Sequence, residues 1–237
     1  FTVTDGISLN KWQNVVMGNT KDGDDEITIY IDWVNKGSSS NGSGSPATDT
    51  YDLYIGGDYS ANFHGFIDEF KIYKEERTQA QIYTDFVKGT SSLHGAQAAY
   101  GVRGNYNLSD GLIGYWKMDE NTGTTTSDSS GNGNTSSAFT GNVAWTSGKF
   151  ASGLSFDGTD DVVRIVETSS TDLGATTDSY SYAAWFKTST NYTNSAIILG
   201  KHDAIGGYPM ILYLNTSEQA CTAIYDGTNN PFTCGTT

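Results

Sequence analysis

Apolar and polar residues alternate with a period of two along much of this chain, and that pattern restricts its fold more than any other feature. Ile27, Ile29 and Ile31 alternate with Thr28, Tyr30 and Asp32. Tyr180, Tyr182, Ala184 and Phe186 alternate with Ser181, Ala183, Trp185 and Lys187. Successive side chains of a strand point to opposite faces, so each run has one apolar face to bury. Turn-forming clusters at Lys21–Asp25, Ser38–Ser45, Thr122–Asn134, Asp157–Asp160 and Asp226–Asn230 separate such runs. The class is all-β. One helix is expected over Thr78–Val87, with Thr78 as N-cap and Gln81 in the capping-box position.

A chain of 237 residues holds one large sandwich or two small domains. Its net charge of −14, from 27 acidic and 13 basic residues, disfavours nucleic acid, whose phosphates need a basic footprint. The same charge suits a soluble extracellular protein and leaves two readings open, cation binding and plain surface solvation. No apolar run reaches transmembrane length and no signal-peptide pattern appears, so no membrane span is expected. The chain does not start with Met, which reads as a mature or excised segment.

Both cysteines fall in "QACTAIYDGTNNPFTCGTT", and Asp226-Gly227 between them is a hairpin turn signal. The cysteines lie symmetrically about Gly227 and Thr228, so a hairpin centred on that pair sets Cys221 and Cys234 opposite each other, within disulfide reach. The expectation is a bond made in an oxidising compartment. Two buried thiols are the alternative.

Several longer segments carry a family likeness. "GLIGYWKMDENTG" (Gly111–Gly123), "DSSGNGN" (Asp128–Asn134), "LSFDGTDDVVRI" (Leu154–Ile165) and "SYSYAAWFKT" (Ser179–Thr188) resemble the first half of a laminin-G-like module. "ITIYIDW" (Ile27–Trp33), "LYIGGD" (Leu53–Asp58) and "GFIDEFKIYKEERTQAQIYTDF" (Gly65–Phe86) resemble its second half. Such modules belong to the concanavalin-A-like lectin/glucanase superfamily. The resemblance implies a jelly-roll β-sandwich with one short helix after the strand at 66–73. In that family the "GYWKMDE" strand comes first and the "IDEFKIY" strand last, whereas here the order is reversed.

The implied organisation is a second half at 1–88, a polar linker at 89–111 and a first half at 112–237. Neither half buries both inner faces alone, because a sandwich core is made by two packed sheets. Three arrangements remain open: a circular permutant closing on itself, a window cut from a tandem array, and subunits that complete one another head to tail. The last two place the protein in a surface fibre or filament built from copies of itself.

The alternation in Phe66–Tyr73 puts Phe66, Asp68, Phe70 and Ile72 on one face. If that face is the core, Asp68 points inward and needs N–H donors, a basic partner or a metal ion. The resemblance makes the first and last strands neighbours, with a structural Ca²⁺ in that region. It implies a site of Asp68, Asp119 or Glu120, and loop oxygens around Asn132 and Gly133. Backbone hydrogen bonds to Asp68 without a metal are the alternative. Asp157-Gly158-Thr159-Asp160-Asp161 is a second acidic loop, read first as a turn.

No catalytic residues are nominated. The superfamily's glucanases carry Glu-x-Asp-x-x-Glu on one strand, and neither "DDEITIYID" nor "IDEFKIYKEE" reproduces it. His64, His94 and His202 are scattered, and no Gly-x-Ser-x-Gly elbow occurs. Trp12, Trp33, Trp116, Trp145 and Trp185 fall mostly at patterned strand positions that favour core packing. Tyr59, Phe63 and Tyr208 are weaker candidates for a ligand surface. Asn-x-Ser/Thr sequons at Asn41, Asn107, Asn134, Asn191 and Asn215 permit glycosylation, although about four arise by chance in so Ser- and Thr-rich a chain. Two functions follow: a non-catalytic structural or adhesive repeat of a cell-surface fibre, or a carbohydrate-binding module of a secreted protein. No glycan ligand is assigned.

Overall fold

The computed structural model describes residues 7–20, 26–40, 51–57, 61–90, 109–173, 179–201, 210–224 and 232–235, with side chains except at 40 and 88–90. In chain order the first part carries β1 (Gln13–Asn19), β2 (Glu26–Ile31), β3 (Val34–Ser40), β4 (Leu53–Ile55), β5 (His64–Tyr73) and α1 (Gln79–Thr90). The second part opens with β6 (Leu112–Trp116), β7 (Ala144–Ser147), β8 (Ser152–Asp157) and β9 (Val163–Ile165). It continues with β10 (Tyr180–Lys187), β11 (Ala196–Lys201), β12 (Met210–Leu214), β13 (Ala220–Ala223) and β14 (Phe232–Cys234). Of the expected linker, Gly89 and Thr90 continue α1 and 109–111 form the turn into β6. Residues 91–108 lie outside the described residues.

These strands form two antiparallel sheets. The larger runs β3-β2-β1-β10-β5-β8-β7, with β6 also paired to β5, and the smaller runs β14-β13-β12-β11-β4-β9. Strands from both parts of the chain alternate in each sheet. One apolar core lies between the sheets. Ile27, Ile29 and Ile31 enter it from β2, and Tyr180, Tyr182, Ala184 and Phe186 enter it from β10, as their alternation predicts. Phe70 of β5 and Trp116 of β6 stack at 5.2 Å within it.

The helix lies on the outer face of the larger sheet, where Ile82 packs with Val16, Tyr30 and Ala183. Its start is a reciprocal capping box. The Thr78 N–H donates to Gln81 Oε1 at 2.8 Å, and the Gln81 N–H donates to Thr78 Oγ1 at 3.4 Å. At one end of the smaller sheet, Cys221 and Cys234 are register partners joined by a disulfide, with Cα atoms 4.0 Å apart.

One expectation about β5 is overturned. Phe66 and Asp68 do not share the core-facing row of Phe70 and Ile72. Ala183 pairs with Lys71 but Trp185 pairs with Asp68, so three residues of β5 span what two residues of β10 span. This is a β-bulge, and Glu69 sits in it at φ 56°. An inserted residue moves the side-chain alternation to the opposite face. Ile67 therefore faces inward with Phe186, whereas Phe66 and Asp68 face outward with Lys187 and Trp185.

Other single expectations also change. Phe63 is fully buried, against Phe156 and Phe186, and so offers no ligand surface. Trp33 is not a core residue but stands 38% exposed at the β2–β3 turn.

Candidate functional site

The bulge in β5 sits where the larger sheet forks. Along the same edge, β5 pairs with β8 through Ile67↔Leu154 and with β6 from Phe70↔Trp116 onward. Asp68 and Glu69 occupy the gap between the two partners. After β6 the chain turns away through Met118 at φ 57°, which brings Asp119 to the same place. The β7–β8 hairpin turn closes over the fork from outside.

Asp68 is fully buried under that turn. Its Oδ2 accepts the Phe150 N–H at 2.9 Å, and the Lys149 N–H adds a second donor. Its Oδ1 has no hydrogen-bond partner. Burial pushes this carboxyl up to about 8, the charges of Glu69 and Asp119 add to the shift, and the two N–H donors oppose it. Beside it, burial raises Glu69 above the ordinary carboxylate range, against a hydrogen bond from the Tyr115 hydroxyl and the charge of Lys71. Asp119 Oδ1 accepts the Ser152 N–H at 3.2 Å.

Gly148 makes the turn fit. A Cβ there would lie 2.2 Å from the Ser152 carbonyl oxygen and 2.6 Å from Asp68 Oδ2, so the backbone approaches the carboxylate only because the side chain is missing.

The residues expected to form one cation site do not all converge. Asp68 and Asp119 share the hairpin turn 148–152. Glu120 instead accepts the Ser127 N–H at 2.7 Å and ties down its own loop. Asn132 lies at the opposite end of β6, where its amide donates to the carbonyls of Leu112 and Ile113. Gly133 is in the same loop at φ 79°. That loop is organised by Asp128, which accepts the N–H groups of Tyr115, Ser130 and Asn134 at 2.8–3.0 Å. Burial works against the charge of Asp128, but these donors prevail and hold its carboxyl below the usual range.

The second acidic loop is a hydrogen-bonded turn. Asp157, Asp160 and Asp161 bring carboxylate oxygens within 4.8 Å of one another, a spacing that a cation can bridge. Asp161 already accepts the N–H groups of Asn142 and Asp157, and Asp157 accepts that of Thr159.

His64 is exposed, with Nδ1 3.0 Å from Thr190 Oγ1, while His94 and His202 lie outside the described residues. So do Asn41, Asn107, Tyr59 and Tyr208. Among the remaining sequons, Asn191 is exposed and Asn215 is half-buried in its own turn. Asn134 is buried, with its amide donating to Ile113 and accepting from Thr168 and Ser170.

Sequence reasoning did not single out Glu69, Tyr115, Phe150 or Ser152. The Ser147-Gly148 and Ser152-Gly153 dipeptides are a local turn signal that could have found the hairpin turn, but nothing in the alternation marks where a bulge will fall. Among the described residues, no helix is long and apolar enough to cross a membrane.

Residues 1–83 match the model of a laminin-G family described as the concanavalin A-like lectin/glucanases superfamily. No curated protein and no solved structure matches the chain. The matched stretch runs through β1–β5 into α1, the strands that interleave with the second part to build two facing antiparallel sheets. The match covers 83 of the 237 residues and is a likeness of that stretch to the concanavalin A-like lectin/glucanase superfamily, and the two antiparallel sheets with a single short helix among the described residues have the architecture of a concanavalin-A-like β-sandwich.

Proposed function

We propose that this chain is a non-catalytic laminin-G-like module of an extracellular or cell-surface assembly, with a structural Ca²⁺ at the fork of its larger sheet. Parts 1–88 and 112–237 act as complementary pieces of one sandwich. The observation that carries the reading is Asp68. This buried carboxylate lies beneath a backbone turn, where it accepts the Phe150 N–H and so ties the first part of the chain to the second. Its unpartnered Oδ1 fits a hard cation, which prefers carboxylate and carbonyl oxygens. Asp68 and Asp119 would supply the carboxylates. The Cys221–Cys234 disulfide supports maturation in an oxidising compartment.

Calcium titration with thermal melts tests the metal. Ca²⁺ is expected to raise the melting temperature of the wild type but not of Asp68→Asn, and Asp160→Asn retains the response. A response lost in Asp160→Asn and kept in Asp68→Asn moves the cation to the second acidic loop. A melt indifferent to both Ca²⁺ and chelator removes it from the protein. Negative-stain images test the assembly: ordered polymers support it, and monodisperse monomers at every concentration overturn it.

A carbohydrate-binding role is the second reading, favoured by one surface feature. Trp33 and Tyr83 are 38% and 48% exposed, with ring centroids 5.1 Å apart. Exposed aromatic faces stack on sugar rings. Binding on a glycan array that Trp33→Ala abolishes would establish it.

A further inference from the structure

We infer that the two parts of this chain close the sandwich between copies as well as within one, so that the partner of residues 13–73 is the 112–234 part of a second copy. This rests on the assembly reading above and specifies how the copies join. The pairings between the parts are β1–β10, β5–β10, β5–β6, β5–β8, β4–β11 and β4–β9. Among the described residues of the first part, only β1, β2 and β3 pair with one another. Strands β4 and β5 have no strand partner there, so without the second part their edges and the apolar row Leu53, Ile55, Ile67, Phe70 and Ile72 are open. An open edge with an apolar face is a template for strand addition.

The complement is identical in every copy, so exchange adds no new surface and keeps the same register. One covalent connection, residues 91–108, joins the parts, and eighteen residues reach at most about 60 Å. Closure within a chain prevails at dilution because a short tether sets a millimolar-range effective concentration.

Folding order favours exchange when copies are crowded. β1-β2-β3 and β11-β12-β13-β14 are runs of sequence-adjacent antiparallel strands that form locally. The pairings between the parts are long-range and form later. By then each half meets whichever complement is near. Exchange with successive neighbours is head to tail and builds an open chain of molecules, and mutual exchange builds a dimer.

The test uses Lys71→Cys with Ala183→Cys, register partners on β5 and β10 and one in each part. Isotopically light and heavy copies are mixed, refolded together at graded concentration and oxidised. At low concentration the bridge is expected within single chains. At high concentration, light–heavy bridged peptides and a ladder of covalent multimers are expected. The wild type gives the same readout through an amine cross-linker between Lys71 and Lys187, the latter four residues along β10 from Ala183, about 13 Å. It serves if the double variant fails to fold. Bridges confined to single chains at every concentration overturn the inference. If light scattering still shows multimers in that case, assembly uses another surface and its reading survives. If it shows only monomers, that reading falls as well.

Discussion

At Asp68 one inserted residue decides the chemistry of its surroundings. Strict alternation would send this carboxylate into the apolar core with Phe70, but the bulge at Glu69 turns it outward to meet the N–H of Phe150. Its carboxyl sits at about 8 in the folded chain against an ordinary 3.8, so the folded state binds the proton more tightly than the unfolded one. The resulting stabilisation is full below about pH 4 and is lost as pH rises through about 8, because the unfolded chain then carries fewer protons. In metal-free buffer, denaturant midpoints should therefore fall across this window. Asp68→Asn should flatten the decline, and an unchanged slope in the variant would place the titrating group elsewhere. Gly148→Ala should destabilise the fork, because its Cβ meets the Ser152 carbonyl oxygen and Asp68 Oδ2 at 2.2 and 2.6 Å. A melting temperature equal to wild type would show that the turn has room.

Among the elements, α1 and the β13–β14 pair were legible in advance, because their signals are local. The Thr78 and Gln81 capping box needs only a spacing of three residues, and both bonds form. Thr78→Ala should cost about 1 kcal/mol in urea unfolding, and no measurable loss would mean that packing of Ile82 alone holds the helix. The symmetric placement of the cysteines about Gly227 and Thr228 in the sequence was enough to expect them as partners. Replacing both with Ala should cost about 2–4 kcal/mol, since the bridge closes a loop whose ends are separated by 13 residues. The bulge, the fork and the closing turn were not legible. Each depends on a neighbour brought from far along the chain: β10 to reveal the register shift, and β6 with β8 to make the gap that Asp68 fills.

At the scale of the molecule, the strands of the two parts interleave in both sheets, so no large piece is spared when the core opens. β5 and β10 lie at the centre of the larger sheet with partners on both sides. Their amides should exchange hydrogen only through global unfolding, with protection equal to the stability from denaturant titration. The edge strand β3 should exchange faster. Slower exchange at β3 than at β5 would contradict this hierarchy.

The all-β class, the faces of β2 and β10, the cap of α1 and the opposed placement of the cysteines were written in the local sequence. All of these follow from residues within a turn or a strand of one another. Which way Asp68 points, that Asp119 and not Asn132 joins it at the hairpin turn, and that Trp33 is exposed and Phe63 buried follow from the packing of the fold alone. Burial, register and electrostatic environment are properties of pairings between distant strands. A single inserted residue, invisible in composition and periodicity, reverses them.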